Sequence, residues 1–182
     1  MLLSQINEAC HRACKTVAGG SSPQGHCLTF ALNGIDMGID IRVVTEIARH
    51  RILEEPQGML GFIRGLFRHN GMMIPVIDLA ACYGKHPLKP GARTCIVLVE
   101  LGVGKWRRDI GIMVDEIVGV SEFELSELLP VPEVAHRMLQ VEIIEGLVKQ
   151  KENYLIVLDA LRLLPDTALE ELAMYMRDVK HA

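Results

Sequence analysis

One stretch of this chain is written twice. Residues 63–79 align without gaps with residues 144–160, at a constant offset of 81 positions. Ile63 and Ile144, Gly65 and Gly146, Leu66 and Leu147, Val76 and Val157, and Asp78 and Asp159 are identical. Phe67/Val148, Arg68/Lys149, Ile74/Leu155 and Ile77/Leu158 keep their character. A repeated block of this kind implies two related halves. Two copies are too few for a solenoid, so the pattern reads as a duplicated small domain.

Composition narrows what those halves are made of. Of 182 residues, 49% are apolar and only 4% aromatic, so the core has to come from Ile, Val, Leu and Met. A net charge of −4 argues against phosphate-backbone binding, which needs clustered Lys and Arg. No run of about 18 apolar residues is present, and no membrane insertion is expected. The first residues, MLLSQINEACHR, lack the basic-then-apolar layout of a secretory signal. Five cysteines, one necessarily unpaired, point to a reducing cytoplasm and free thiols.

Along the chain, Ile6, Ala9, Cys10, Ala13 and Val17 lie at helical spacing, and GGSSPQG at 19–25 reads as a linker. The globular part starts near Cys27. Leu28 to Leu32 is a strand, Asn33-Gly34 a hairpin turn, and alternation from Ile35 to Ile41 a half-buried strand. A loop follows around Pro56, Gly58 and Gly61, with one helical turn at 59–63. Residues 72–79 form the next strand, which Pro75 assigns to an edge or a bulge. Gly and Pro residues in 83–92 separate the halves. Strands are then expected at 94–101, 110–114, 117–125, 141–149 and 154–158. The chain closes on a helix opened by Pro165 and a Thr167/Glu170 capping box, with Leu169, Leu172, Ala173 and Met176 on one face. Many short strands about ten residues apart make an all-β barrel or sandwich with a terminal helix.

The candidate chemistry is thin. Cys10, Cys14, His26 and Cys27 do not have zinc-ligand spacing, and Cys10, His11 and Cys14 make no haem attachment motif. Cys82 and Cys95 read as core thiols. Asp78 and Asp159 each end an apolar strand, where a carboxylate caps the turn that follows. The acids Asp115, Glu116, Glu122, Glu124 and Glu127 lack EF-hand spacing, and Gly102 to Lys105 lacks the P-loop pattern. Arg49-His50-Arg51 and Lys105-Trp106-Arg107-Arg108 are small basic clusters. The second, with the only Trp, is what a nucleic-acid-binding module would use. No catalytic residue, metal or cofactor is expected.

An ordered set of motifs carries a resemblance. Gly38-Ile39-Asp40-Ile41, Val44-x-Glu46-Ile47, Phe62-Ile63-x-Gly65, Gly71, Ile74-Pro75-Val76-Ile77-Asp78-Leu79 and Gly111-Ile112-x-Val114-Asp115-x-Ile117 together resemble the CheW-like adaptor domain of bacterial chemotaxis. The resemblance implies an all-β fold of two SH3-like five-stranded barrels related by internal duplication, with a C-terminal amphipathic helix. Its domains would be an arm and linker at 1–26, the CheW-like domain at 27–164, and the helix at 165–182. The middle domain would have two subdomains divided near 84–92, with strand exchange between them allowed. It implies a non-enzymatic scaffold that couples the cytoplasmic tip of a methyl-accepting chemoreceptor to the regulatory domain of a CheA-type histidine kinase. The setting would be cytoplasmic, recruited to membrane-associated arrays. The kinase-facing edge would use Val44, Glu46, Arg64 and Gly65, and the receptor-facing groove Asn70, Thr94, Cys95, Ile117 and Val120. One departure stands out: where the family reads N-L-R-G, this chain reads Arg68-His69-Asn70-Gly71, so Asn70 replaces an arginine. That change fits a specialised surface-motility or cyclic-dinucleotide pathway. The Cys10/Cys14 arm, outside the pattern, is the feature a thiol or metal sensor would use.

Overall fold

A computed structural model describes residues 24–50, 53–55, 57–102, 108–131 and 143–181. The expected N-terminal arm and the Lys105 to Arg107 part of the basic hairpin lie outside these residues. The described chain forms ten strands. In order they are β1 (Gln24–Leu32), β2 (Ile35–Asp40), β3 (Val44–Arg49), β4 (Ile63–His69), β5 (Met72–Ile77), β6 (Cys95–Leu101), β7 (Arg108–Val114), β8 (Glu116–Glu124), β9 (Ile144–Gln150) and β10 (Asn153–Leu158). A short helix α1 (Leu79–Cys82) follows β5, and α2 (Asp166–His181) ends the chain.

The strands make two five-stranded sheets with the orders β8-β1-β2-β10-β9 and β3-β6-β7-β5-β4. The two orders correspond position by position. Each sheet contains one parallel pair, β2 with β10 through Gly38 and Val157, and β7 with β5 through Gly111 and Val76. Each closes its ends through a polar contact at the equivalent place on β4 and β9. His69 Nε2 of β4 lies 3.3 Å from Glu46 of β3, and Gln150 Nε2 of β9 donates to Ser121 Oγ of β8 at 2.8 Å.

The segment 84–92 separates two successive sets of five strands, but neither set makes a sheet alone. It joins β5 to β6 within one sheet. That sheet takes β3–β5 from the first set and β6–β7 from the second. The other takes β1–β2 from the first and β8–β10 from the second. The halves have exchanged their first hairpins. The chain crosses between sheets at two matching corners. One is the 3-10 turn Ile41–Val43, capped by Asp40 accepting the Arg42 N–H at 2.8 Å. The other is Asp115, whose N–H donates to Ala31 O and whose carboxylate accepts the Gly34 N–H at 3.1 Å.

Exchange obliges the two sheets to share a core. Leu28, Phe30 and Leu32 of β1 and Val97, Val99 and Leu101 of β6 belong to one buried cluster. A smaller cluster, Cys27, Phe123, Val148, Leu155 and Val157, fills the first sheet separately.

Three sequence expectations change. No strand is expected between the helical turn at 59–63 and residue 72, yet Ile63–His69 form one. It pairs with β5 from Ile63↔Ile77 to His69↔Met72 around an Asn70-Gly71 turn with φ of 48° and 78°. These angles suit the type I′ hairpin that Asn-Gly favours, and Asn33-Gly34 repeats them. Pro75 is not on an edge strand, since β5 lies between β7 and β4. It is tolerated because pairing with β7 starts only at Val76. The C-terminal helix starts at Asp166 rather than after Thr167. Pro165 O accepts the Leu169 N–H at 3.0 Å, and Asp166 places an acid in the first turn. Its buried side is Ala168, Leu172 and Tyr175, with Leu169 and Met176 at the margin.

Candidate functional site

The edge formed by β3 and β4 collects the first group of expected residues. Val44 opens β3 opposite Val99 and is 9% exposed, part of the main core. It anchors the edge from within. Glu46 is half-buried and reaches His69, whose ring stacks on Phe67 at 6.2 Å between centroids. His69 is a residue that sequence reasoning missed, because nothing in the local pattern announces a strand-to-strand closure. Arg64 lies further along β4. Its guanidinium sits 3.9 Å from Asp78, a carboxylate with no exposed surface. Gly65 is buried under a crossing chain. An added Cβ would stand 2.5 Å from Leu53 Cβ and 3.0 Å from Glu54 O. Its place in the edge is therefore to let that chain cross, and Glu54 and Leu66 exchange two backbone hydrogen bonds there.

The receptor group divides. Asn70 sits on the β4–β5 turn, and its Nδ2 lies 2.9 Å from His69 Nε2, so by contact it joins the Glu46 group. Arg68 beside it is engaged by Glu54 at 3.1 Å. The other four lie where the two sheets meet. Thr94 is buried, its hydroxyl accepting the Gly91 N–H at 2.7 Å. Cys95 is buried, and its thiol donates to Arg93 O at 3.3 Å. Ile117 is 9% exposed, so Thr94, Cys95 and Ile117 make a floor. What reaches solvent is Val120, 37% exposed, with Val118 beside it at 54%. Val118 stands in a bulge, since Phe30 pairs with Ile117 and Thr29 with Gly119. Across this floor Arg93 and Glu116 form an ion pair at 2.6 Å.

Chemistry at these places is structural. Asp78 accepts the N–H of Ala81 at 3.1 Å and of Leu88 at 2.7 Å, while Asp159 accepts that of Leu161 at 2.9 Å. Both carboxylates cap turns. Among the described residues no group of three His, Cys, Asp or Glu side chains could hold a metal ion. No helix among them is long and apolar enough to cross a membrane.

The thiols are held protonated. Burial, reinforced by Asp40 and Glu145, pushes Cys27 up to about 12 from 9.0, and burial pushes Cys82 up to about 11. A raised thiol pKa stabilises the fold below pH 9.0, and for Cys27 that contribution is lost as pH rises from 9.0 toward about 12. Urea unfolding between pH 9 and 11 should therefore fall less steeply with pH in Cys27→Ser than in the parent. Equal slopes would contradict this assignment.

The described residues thus form two fused barrels with an apolar seam and two differing edges. A family model described as the CheW-like domain matches residues 26–168, and the chain belongs to that family. It is 29% identical over 147 residues to the chemotaxis protein CheW of Klebsiella aerogenes, covering 81% of this chain and 84% of that protein. It is 29% identical over 152 residues to CheW of Treponema pallidum, covering 82% and 88%. With protein FrzA of Myxococcus xanthus it shares 24% over 118 residues, covering 65% and 71%. The crystal structure of the scaffolding protein TtCheW from Thermoanaerobacter tengcongensis superposes with a TM-score of 0.68 at 22% identity, covering 81% of this chain and 90% of that one. The fold is thus the pair of SH3-like barrels expected, and the protein is a non-enzymatic scaffold of the chemotaxis type.

Proposed function

We propose that this scaffold is a cytoplasmic adaptor. It couples the cytoplasmic tip of a methyl-accepting chemoreceptor to the regulatory domain of a CheA-type histidine kinase, in arrays at the membrane. The observation that carries the reading is the separation of two unlike surfaces on one family fold. The β3/β4 edge presents Glu46, Arg64 and the Asn70 turn over a Val44 anchor, while the seam presents Val118 and Val120 over a buried floor. The first suits a rim of charges around an apolar contact, and the second an apolar ridge of a helical hairpin. Asn70, in its left-handed turn conformation with φ 48°, supports a dedicated kinase partner in a specialised pathway, because it lacks the charge an arginine would offer there.

Calorimetry with the regulatory domain of the kinase from the same organism tests the reading. Val44→Glu is the wrong probe, because Val44 is in the core. Glu46→Lys is better, since Glu46 is half-buried at the rim. It should weaken binding about tenfold through charge reversal while leaving the thermal midpoint within a few degrees. No binding of the parent protein to any such domain would remove the kinase half of the proposal.

A further inference from the structure

The seam between the sheets has an electrical direction. Arg49 lies directly opposite Cys95 in the β3–β6 register, on the same face, and is exposed. His50 follows it, its backbone N–H on Thr94 O at 3.1 Å. Arg93, two residues before Cys95, pairs with Glu116 of β8 at 2.6 Å, and the bulge at Val118 then keeps Ile117, Val120 and Glu122 on one face of β8, opposite Phe30, Leu28 and His26. Glu122 has 70% of its side chain exposed, and Glu124 extends the same face opposite Gln24. The central ion pair Arg93–Glu116 is mutually neutralised. The strip therefore runs from a cation at Arg49, over an apolar middle at Cys95, Ile117 and Val120, to carboxylates at Glu122 and Glu124. His26 Nδ1 lies 3.5 Å from Glu122, one side chain facing two acids. Strand rise and spacing make the strip roughly 20 Å long, about fourteen residues of helix.

We infer that the occupant of this seam is a helical hairpin whose apolar ridge carries a carboxylate at the end that meets Arg49 and a Lys or Arg at the end that meets Glu122, so that charge fixes the direction in which it lies. The inference rests on the adaptor reading above and supplies the chemistry of its receptor partner. An apolar ridge alone would seat equally well either way round. Opposite charges at the two ends penalise the reversed pose twice, once at each end.

The test uses a soluble cytoplasmic hairpin fragment of a chemoreceptor from the same organism, titrated at low salt. Arg49→Glu and Glu122→Lys should each weaken binding about five- to tenfold, mostly in the on-rate, and 0.5 M salt should erase the difference. Lys149→Glu, on the exposed side of β9, should bind as the parent does. Unchanged thermal midpoints establish that the variants fold. Reversing the fragment's acid that faces Arg49 should restore binding to Arg49→Glu. If the parent binds but both reversals bind equally well, the charge polarity is overturned and the adaptor reading survives. If the parent does not bind the fragment, the receptor half of the adaptor reading falls, and this inference with it.

Discussion

Gly65→Ala is expected to destabilise the protein by about 4 kcal/mol and to lower its thermal midpoint by about 10 °C. Two costs combine. Gly65 has φ of 141°, a backbone conformation that a Cβ makes expensive. The same Cβ would stand 2.5 Å from Leu53 Cβ and 3.0 Å from Glu54 O, and neither of those atoms is the free end of a flexible side chain. The crossing chain would have to lift off β4, breaking the two Glu54–Leu66 hydrogen bonds at 3.0 and 2.8 Å. Gly61→Ala is the matched control, because a Cβ there meets nothing within 4 Å and its φ is ordinary. Thermal unfolding of both variants decides. A Gly65→Ala midpoint within about 2 °C of Gly61→Ala would mean that the crossing has room to spare.

That prediction explains why the duplication was readable at all. At the equivalent position, a Cβ on Gly146 would stand 2.8 Å from Leu129 O and 2.6 Å from Leu128 Cγ. Leu129 and Leu147 exchange two hydrogen bonds as Glu54 and Leu66 do. The paired glycines and paired aspartates survive as identities because each serves a backbone crossing or a turn, where few residue types fit. Elsewhere the halves match only in geometry. Register makes Thr29 correspond to Leu98 and Gly38 to Gly111, at offsets that differ from that of the repeated block, so no ungapped alignment reveals them. The exchange of first hairpins, which the resemblance allows, is equally hidden from the residue pattern itself. It depends on which strand β2 and β7 choose as their parallel neighbour, and alternation of apolar residues says which face is buried, not which strand lies alongside.

The candidate site was legible to the extent that it coincides with family motifs. Of the residues the resemblance implies, Val44, Gly65, Thr94, Cys95 and Ile117 are buried. They shape the surfaces from beneath. The residues that the structure leaves at the surface of these edges, Arg49, Val118 and Glu122, carry no motif, because exposed side chains are not constrained by packing. Asn70-Gly71 shows the opposite failure. Compared with relatives it reads as a lost arginine, while by turn chemistry it is a hairpin signal as strong as Asn33-Gly34, and the φ values of 48° and 50° for the two asparagines agree.

The second large effect separates two residues that the sequence makes equivalent. Asp78→Ala should cost about 4 kcal/mol and Asp159→Ala about 1 kcal/mol. Asp159 has 30% of its side chain exposed and accepts a single turn N–H, so water can replace it. Asp78 has no exposed surface and accepts two N–H groups, from Ala81 in α1 and from Leu88 in the linker. Removing it leaves a buried donor at Leu88 and a partly buried one at Ala81 without this partner, at about 1 to 3 kcal/mol each. Asp78→Asn should be nearly as harmful, since one position of the amide would turn an N–H toward a backbone N–H. The damage should extend to function by a route Asp159 lacks. Leu88 is 1% exposed and holds the linker onto the core before the chain enters β6, the strand that carries Cys95 at the seam. Arg64, at 3.9 Å from Asp78, would lose its partner on the β3/β4 edge at the same time. Urea unfolding gives the two stabilities, and titrations with the kinase domain and the receptor fragment give the two affinities. Similar losses for the two alanine variants would mean that the buried carboxylate contributes no more than an exposed turn cap.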